Sequence, residues 1–342
     1  MIPVRKPLND PSDWRDQLRE GWRDARDLLA HLGLADHRFD LARDTAFPVR
    51  VPRAFSDRMR RGDPTDPLLR QVLPLAVEDD EVPGFVDDPV GDDAASRGNG
   101  LLRKYGGRAL LVTTGACAVH CRYCFRREFP YSSDQATPSS WDAIAAELAA
   151  DDSVEEVILS GGDPWMLDDD RLGRLTRALA RVPHLRRLRI HTRMPIVLPD
   201  RVDAGLASWL SSLPWQPVVV VHANHPAELA EDVAAAVARL REAGATIFNQ
   251  AVLLAGVNDS VESLEGLMQR GFEIGIVPYY LHLLDRVRGS AHFEVPEARA
   301  LELHEALRRR LPGYLVPRLV REQAGAPYKV PLQGAVRAAS CT

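Results

Sequence analysis

The sequence predicts an α/β fold built as a partial (β/α)6 barrel. Six short apolar runs follow Gly107, and amphipathic, helix-like stretches separate them. Near-continuous apolar strands are typical of a parallel sheet that helices cover on both faces. Each run ends in polar residues, and functional residues of such barrels gather at the carboxyl ends of the strands. The six runs are 108–114, 155–162, 187–193, 218–225, 246–254 and 273–281.

The first 100 residues are expected to form a helical cap and a linker that wraps around the barrel. In the segment 13–33, Trp and Leu residues recur at near-helical spacing until Gly33. Residues 63–100 are rich in Pro, Asp and Gly, which disfavours long elements. We expect the barrel to occupy 101–294, and a helix with a short C-terminal segment to occupy 295–342.

Composition excludes several classes of protein. The net charge of −5 provides no polycation for nucleic acid or for an anionic membrane surface. The N-terminus has no apolar core of an export signal, and no run approaches the roughly 20 apolar residues of a membrane span. Three clustered cysteines without an export signal indicate a reducing compartment, so we expect a cytoplasmic protein that uses its thiols to bind metal.

Three of the four cysteines, Cys117, Cys121 and Cys124, lie together directly after the first predicted strand. Three thiolates on one loop can hold three irons of a [4Fe-4S] cluster and leave the fourth iron open to a ligand. The alternatives are a zinc site or plain core cysteines. Zinc usually takes four protein ligands, commonly from paired Cys-x2-Cys knuckles that this chain lacks. The spacing favours a cluster, and the role of Cys341 stays open.

A Gly-Gly-Asp turn, formed by Gly161, Gly162 and Asp163, closes the second apolar run. Taken alone, such residues after a strand are more often only a turn. Together with the cysteine spacing they resemble the radical S-adenosylmethionine (SAM) superfamily. The resemblance implies that the open iron binds the methionine part of SAM and that this turn approaches its amino group.

Longer stretches resemble the lysine 2,3-aminomutase family over residues 103–332. They include LLRKYGGRALLVTTGACAVHCRYCFRREFPY, ILSGGDPWM, NQAVLLAGVND, VPYYLHLLD and GYLVPRLVREQAGAPYKVPL. The phrase VPRAFSDRMRRGDPTDPLLRQVLP resembles in particular the short branch that makes (R)-β-lysine for modification of elongation factor P. The resemblance implies a TIM-like partial barrel of the radical SAM type, with pyridoxal 5′-phosphate (PLP) held by a C-terminal lysine.

The resemblance also implies the residues that bind PLP. Lys329 matches the lysine that forms the aldimine, although the Gly-rich run before it is shortened to Gly-Ala-Pro-Tyr. Lys104, Tyr105 and Arg108 match the phosphate-binding set. Lys104 stands where the family has an arginine, so it can pair with a phosphate as a point charge but not through a bidentate fork.

The same resemblance implies contacts to both charged ends of the substrate. Arg126 matches the arginine that meets the α-carboxylate of the substrate. Asp259 and Glu322 match two acidic residues that meet the distal ammonium of lysine, and two carboxylates would repel a glutamate side chain. Without the resemblance, an acidic residue at the position of Asp259 is more often the cap of the helix that follows. His222 or His225 is expected near the pyridoxal ring, although a strand-end histidine is more often a core residue.

The implied activity is a radical 1,2-amino migration that converts (S)-α-lysine to (R)-β-lysine. It requires a reductant such as flavodoxin or ferredoxin, and it links the chain to elongation factor P and its lysyl-transferring ligase. The alternatives are a catabolic lysine 2,3-aminomutase and a glutamate 2,3-aminomutase. Two further hypotheses come from other classes of protein. One is a non-enzymatic iron–sulfur or zinc module that binds a partner protein, and the other is a radical methyltransferase or sulfur-inserting enzyme.

Overall fold

Nine strands form one sheet in the computed structural model, which describes residues 13–42, 47–131 and 134–333. Cys341 therefore lies outside the described residues. The strands are ordered in the sheet as they are along the chain. They are β1 (Leu101–Leu102), β2 (Arg108–Val112), β3 (Glu156–Ser160), β4 (Arg187–Thr192), β5 (Pro217–Val221), β6 (Thr246–Val252), β7 (Val277–His282), β8 (Arg318–Arg321) and β9 (Val330–Pro331).

The sheet is parallel from β2 to β8 and antiparallel at both edges. Strand β1 pairs with β2, and β9 pairs with β8, in antiparallel register. The edge strands do not pair with each other, so the sheet stays open. The predicted partial barrel is confirmed, and β8 adds one parallel strand to the six predicted runs. A sheet of this kind brings the carboxyl ends of its parallel strands to one side, where ligands are bound.

Helices connect the parallel strands, as the amphipathic stretches predict. In α10 (Glu231–Glu242), Val233, Ala236, Val237 and Leu240 are buried, which is the spacing of one helix face. Asp168 and Ser260 cap the first turns of α7 (Asp169–Leu179) and α11 (Val261–Glu273) through their side chains. The helices between strands are α6 (Trp141–Ala149), α7 (Asp169–Leu179), α8 (Met194–Val197), α9 (Ala204–Ser211), α10 (Glu231–Glu242), α11 (Val261–Glu273) and α12 (Glu297–Arg310).

In its described residues, 13–42 and 47–100, the segment before the sheet contains only short helices and packs on the barrel. Trp14 and Leu18 are buried in the same apolar cluster as the strand residues, and the Arg201 guanidinium lies 4.8 Å from the Trp14 ring. These helices are α1 (Trp14–Glu20), α2 (Ala25–His31), α3 (Arg53–Ser56), α4 (Pro67–Arg70) and α5 (Asp92–Ala95). Over the described part of the chain, no helix has both the length and the apolar character needed to cross a bilayer.

Candidate active site

One cavity lies at the carboxyl ends of the parallel strands and gathers most of the predicted site residues. Its lining combines the cysteine loop after β2, the turn after β3 and residues that precede or begin β2 or follow β5 and β8. The predicted residues in the lining are Cys117, Cys121, Cys124, Gly161, Gly162, Asp163, Lys104, Tyr105, Arg108, Arg126, His222, Glu322 and Lys329. His225 and Asp259 are not part of this lining.

The three cysteines of the loop form one wall of the cavity. Burial raises the pKa of the Cys117 thiol well above its usual value, with the neighbouring Cys124 adding to the effect. Burial likewise raises the pKa of Cys124 to about 11. Arg193 donates from Nη1 to the Cys121 sulfur at 2.7 Å. A thiol in such surroundings keeps its proton unless a metal replaces it, because metal coordination deprotonates the thiol.

This donor set fits an iron–sulfur cluster. Within the described residues, no three His, Cys, Asp or Glu side chains are arranged around a single metal ion. A [4Fe-4S] cluster does not need that arrangement, because each cysteine binds a different iron. The guanidinium beside Cys121 provides positive charge next to thiolates that would carry negative charge.

Two further arginines of the loop anchor it to the segment before the sheet. Arg122 donates from Nε to the Glu78 carboxylate at 2.9 Å and from Nη2 at 2.5 Å. Arg127 pairs with the same carboxylate at 3.0 Å. Arg122 and Glu78 are buried, and the Arg122 amide donates to the Gln71 carbonyl at 2.9 Å. The two guanidiniums therefore hold the loop by a shared buried carboxylate.

The Gly-Gly-Asp turn packs directly on the cysteine loop. The Gly162 amide donates to the Thr114 carbonyl at 2.6 Å, and the Asp163 amide donates to the Ala116 carbonyl at 2.8 Å. A Cβ on Gly162 would collide with the Ala116 carbonyl, and Gly161 has a φ of +121°. Both glycines are thus required by close approach of backbone to backbone. They bring a strip of bare main chain next to the cysteines, which fits the expected SAM position.

The Asp163 carboxylate is turned into the protein. It accepts hydrogen bonds from the Thr192 hydroxyl and the Arg193 amide, both at 2.7 Å. Burial raises the pKa of Asp163 to about 6, although these hydrogen bonds oppose the shift. The side chain therefore joins the end of β3 to the end of β4 and fixes the turn.

The predicted phosphate set lies together at the start of β2. Lys104 donates to the Val90 carbonyl at 2.8 Å and pairs with Asp92 at 2.6 Å. The Arg108 guanidinium lies 5.2 Å from the Tyr105 ring centre. Two cations and a phenol at one end of the cavity are suitable donors for a phosphate group.

Arg126 is held in a fixed orientation at the cavity wall. Its Nε donates to Asp92 at 2.7 Å and its Nη1 donates to the Ser160 hydroxyl at 3.0 Å. Burial alone would raise the pKa of Asp92, but the Arg126 and Lys104 cations outweigh it and hold that pKa below its usual value. Asp92 is therefore ionised and links the Arg126 guanidinium to the Lys104 ammonium.

Lys329 and Glu322 meet across the antiparallel edge of the sheet. Glu322 follows β8 and Lys329 precedes β9, so the pairing of Arg321 with Val330 brings them together. The Lys329 ammonium lies 2.7 Å from a Glu322 oxygen, and the Tyr105 hydroxyl donates to the other oxygen. Burial would raise the pKa of Glu322, but Lys329 and these hydrogen bonds hold it below its usual value.

A further carboxylate of the cavity, Asp285, was not predicted. It follows β7 and lies in the lining with Glu322 and Lys329. Burial raises the pKa of Asp285 to about 7, while the Lys329 cation opposes the shift. The residue could have been found from its position, because it closes the apolar run YYLHLLD at the end of a strand.

Asp259 and His225 lie elsewhere. Asp259 is in the turn before α11, outside the cavity lining, and the neighbouring Asn258 holds this turn in place. The Asn258 side chain accepts from the Leu254 amide at 2.8 Å and donates to the Asn224 carbonyl at 2.9 Å. His225 accepts from the Ala227 amide through Nδ1 at 3.1 Å and so caps a short 3-10 helix.

Three histidines line the cavity as neutral rings. Burial lowers the pKa of His222 to about 3, and it lowers the pKa values of His191 and His282 well below the usual value. Within the described residues, Nε2 of His191 and Nε2 of His282 are buried without a hydrogen-bond partner. The rings therefore present uncharged polar atoms to whatever fills the cavity.

Comparison with known proteins identifies the family. The model of the radical SAM superfamily matches residues 111–268. The L-lysine 2,3-aminomutase of Escherichia coli is 44% identical over 330 residues, which cover 95% of this chain and 96% of that protein. The enzyme of Haemophilus influenzae is 40% identical, covering 96% and 98%. That of Clostridium subterminale is 32% identical, covering 94% and 78%. The chain therefore belongs to the L-lysine 2,3-aminomutase family of radical SAM enzymes.

Proposed function

We propose that this enzyme is an isomerase that converts L-lysine to β-lysine by moving the amino group from C2 to C3. One observation carries the proposal: a single cavity holds Arg126, Glu322 and Asp285 together with Lys329 and the three cysteines. The arginine and the carboxylates are complementary to the two charged ends of a lysine molecule.

Arg126 would bind the α-carboxylate of the substrate. Its Nε donates to Asp92 and its Nη1 donates to Ser160, which leaves further N–H groups on Nη1 and Nη2 at the cavity wall. A guanidinium has five N–H groups, so an arginine that already binds one carboxylate can bind a second one through its remaining donors. This position, two residues after Cys124, would hold the substrate next to the radical source.

Glu322 and Asp285 would bind the distal ammonium of the substrate. A buried ammonium requires carboxylate partners, since leaving it unpaired in a cavity is costly. A substrate with a carboxylate at that end, such as glutamate, would be repelled by both residues. Because Asp285 lines the cavity and Asp259 does not, we assign the second acidic contact to Asp285 in place of Asp259.

The cofactors are a [4Fe-4S] cluster, SAM and PLP, as in the family. When bound, the cluster and SAM would supply a carbon radical that removes a hydrogen, and PLP would supply the carbonyl carbon that holds the migrating nitrogen. The three cysteines would ligate the cluster, and the main chain of Gly161 and Gly162 would line the SAM site. Lys104, Tyr105 and Arg108 would bind the PLP phosphate, and Lys329 would bind its carbonyl carbon.

The chain's own groups would orient the reactants. The neutral His191, His222 and His282 offer hydrogen-bond atoms to the cofactors without adding charge to the cavity. His222 lies in the lining and fits the expected place near the pyridoxal ring, whereas His225 does not reach the cavity.

The finer assignment is the branch that makes (R)-β-lysine for elongation factor P. It is supported by the N-terminal phrase VPRAFSDRMRRGDPTDPLLRQVLP and by the higher identity to the Escherichia coli and Haemophilus influenzae enzymes than to that of Clostridium subterminale. The proposal includes a cytoplasmic location, a flavodoxin or ferredoxin reductant and a ligase that transfers the product. A catabolic lysine 2,3-aminomutase is the second candidate.

Anaerobic reconstitution tests the proposal. The protein is loaded with iron, sulfide, PLP and SAM, reduced, and incubated separately with L-lysine and L-glutamate. We expect (R)-β-lysine from L-lysine and no β-amino acid from L-glutamate, as measured by chiral chromatography. β-Glutamate as the main product would show that the substrate is glutamate and not lysine. If neither amino acid gave a β-amino acid, the proposal would be refuted.

A further inference from the structure

Arg193 is a buried cation that directly contacts a cluster cysteine. It follows β4, and its amide donates to Asp163 at 2.7 Å. Only 7% of the residue is exposed. Its guanidinium donates to three acceptors in different directions: the Cys121 sulfur at 2.7 Å, Gln71 Oε1 at 2.7 Å and Glu228 Oε2 at 2.8 Å.

A closed network of hydrogen bonds holds this guanidinium in one orientation. Glu228 is fully buried, and its Oε1 accepts from the amides of Asn224 and His225 and from Gln71 Nε2. Gln71 Oε1 also accepts from the Asn224 side chain at 3.1 Å and from the Tyr123 hydroxyl at 3.2 Å. The acceptors are themselves fixed, so the donor to Cys121 has no alternative position.

Aromatic rings complete the surroundings of the guanidinium. Its carbon lies 5.3 Å from the Phe55 ring centre and 5.8 Å from the Tyr123 ring centre. With the residue almost sealed from water, the charge is weakly screened and acts strongly on neighbouring atoms.

We propose that Arg193 sets the reduction potential of the cluster by donating a charged hydrogen bond to Cys121. The proposal rests on the cluster assigned above. One electron from a low-potential carrier enters the cluster, and no bond at Arg193 forms or breaks. The reduced cluster carries one more negative charge, so a fixed cation and an N–H donor at a ligand sulfur stabilise it and raise the potential. Arg193 is a positioning residue that acts through Cys121.

The network explains why the guanidinium needs a buried partner. Glu228 balances the charge of Arg193 and aims it, but it lies on the side away from Cys121 and accepts from Nη2, whereas Nη1 reaches the sulfur. Removing Arg193 alone would leave Glu228 as an unpaired buried charge, which is strongly destabilising. The test therefore changes both members of the pair.

The variants are Arg193→Gln combined with Glu228→Gln, and Arg193→Lys. Arg189→Gln is the matched control, because Arg189 is a buried cation of the same cavity that pairs with Glu156 at 2.8 Å. Each protein is reconstituted anaerobically and its iron and sulfide are measured. The midpoint potential of the cluster is then determined by electron paramagnetic resonance during a redox titration without substrate.

We expect the double variant to load its cluster and to show a more negative midpoint potential than the wild type. Arg193→Lys keeps a charge but loses the fork that reaches Cys121, so its potential falls between these two. Arg189→Gln keeps the wild-type potential. A wild-type potential in the double variant, or in Arg193→Lys should the double variant not load, overturns the proposal. Because the titration needs no substrate, its outcome is independent of whether β-lysine is formed.

Discussion

The ammonium of Lys329 lies 2.7 Å from a carboxylate oxygen of Glu322. The side chain of this lysine thus pairs with the same carboxylate that we assign to the ammonium of the substrate. The relationship arises at the edge of the sheet, where the two residues face each other across β8 and β9. The ion pair fixes the position of the Lys329 amine in the cavity, and the ammonium of a bound lysine would share or replace it at Glu322.

Lys329 is predicted to be the residue that binds PLP covalently. The chain has three lysines, Lys6, Lys104 and Lys329, so borohydride reduction followed by peptide mapping distinguishes them. We expect the label on Lys329, and Lys329→Ala should lose the visible absorbance of protein-bound PLP and all activity. Labelling of Lys104 would reverse the roles assigned to the two residues.

Asp285 and Glu322 are predicted to bind the distal ammonium. Asp285→Asn and Glu322→Gln should each lower kcat/KM for L-lysine by roughly 10- to 150-fold, since a hydrogen bond to a charged group contributes about 1.5–3 kcal/mol. Asp259→Asn is the control and should leave kcat/KM within about twofold of the wild type. If kcat/KM fell in Asp259→Asn but not in Asp285→Asn, the contact with the distal ammonium would be assigned to Asp259, in the turn before α11.

The binding of lysine is predicted to depend on pH through Asp285. Its pKa is raised to about 7 by burial, so the carboxyl is neutral below that pH and ionised above it. Only the ionised form attracts an ammonium, and kcat/KM should therefore rise as the pH increases through about 7. In Asp285→Asn this rise should disappear from the profile, while a rise that persists would belong to another group.

Glu78 is predicted to stabilise the cysteine loop. It is buried between Arg122 and Arg127, and loss of one member of a buried ion pair costs about 3–5 kcal/mol. Glu78→Gln should lower the free energy of unfolding by that amount and reduce the iron content. Glu128→Gln is the control, because Glu128 pairs with Arg127 at the surface, 3.6 Å away, where such pairs contribute about 0–1 kcal/mol. Equal losses in both variants would contradict the anchoring role.

Much of the fold could be predicted because parallel strands that are buried on both faces have nearly continuous apolar sequences. The six runs correspond to β2 through β7. Strand β8 was missed because Arg318–Arg321 has four residues with a charged residue at each end, which gives no recognisable run. The edge strand β9 has two residues and is defined by pairing, which a local pattern does not reveal.

The site residues could be predicted where they are close in sequence. The sequence does not show which of several acidic residues on different loops lines the cavity. Cys117, Cys121 and Cys124 need only one loop. Asp259 and Asp285 are both acidic residues near strand ends, and only the path of each loop decides which one enters the cavity. The contact of Arg193 with Cys121 joins the ends of two different strands, so no spacing along the chain indicates it.

Isotope labelling tests the central claim, an intramolecular migration of the amino group of lysine, most directly. The reconstituted enzyme is given L-lysine labelled with ¹⁵N at the α-amino group, and the product is analysed by mass spectrometry and nuclear magnetic resonance. The account predicts β-lysine with ¹⁵N at C3 and no loss of label to solvent or to unlabelled lysine added to the reaction. A product that has lost its label, or one with nitrogen still at C2, would contradict it.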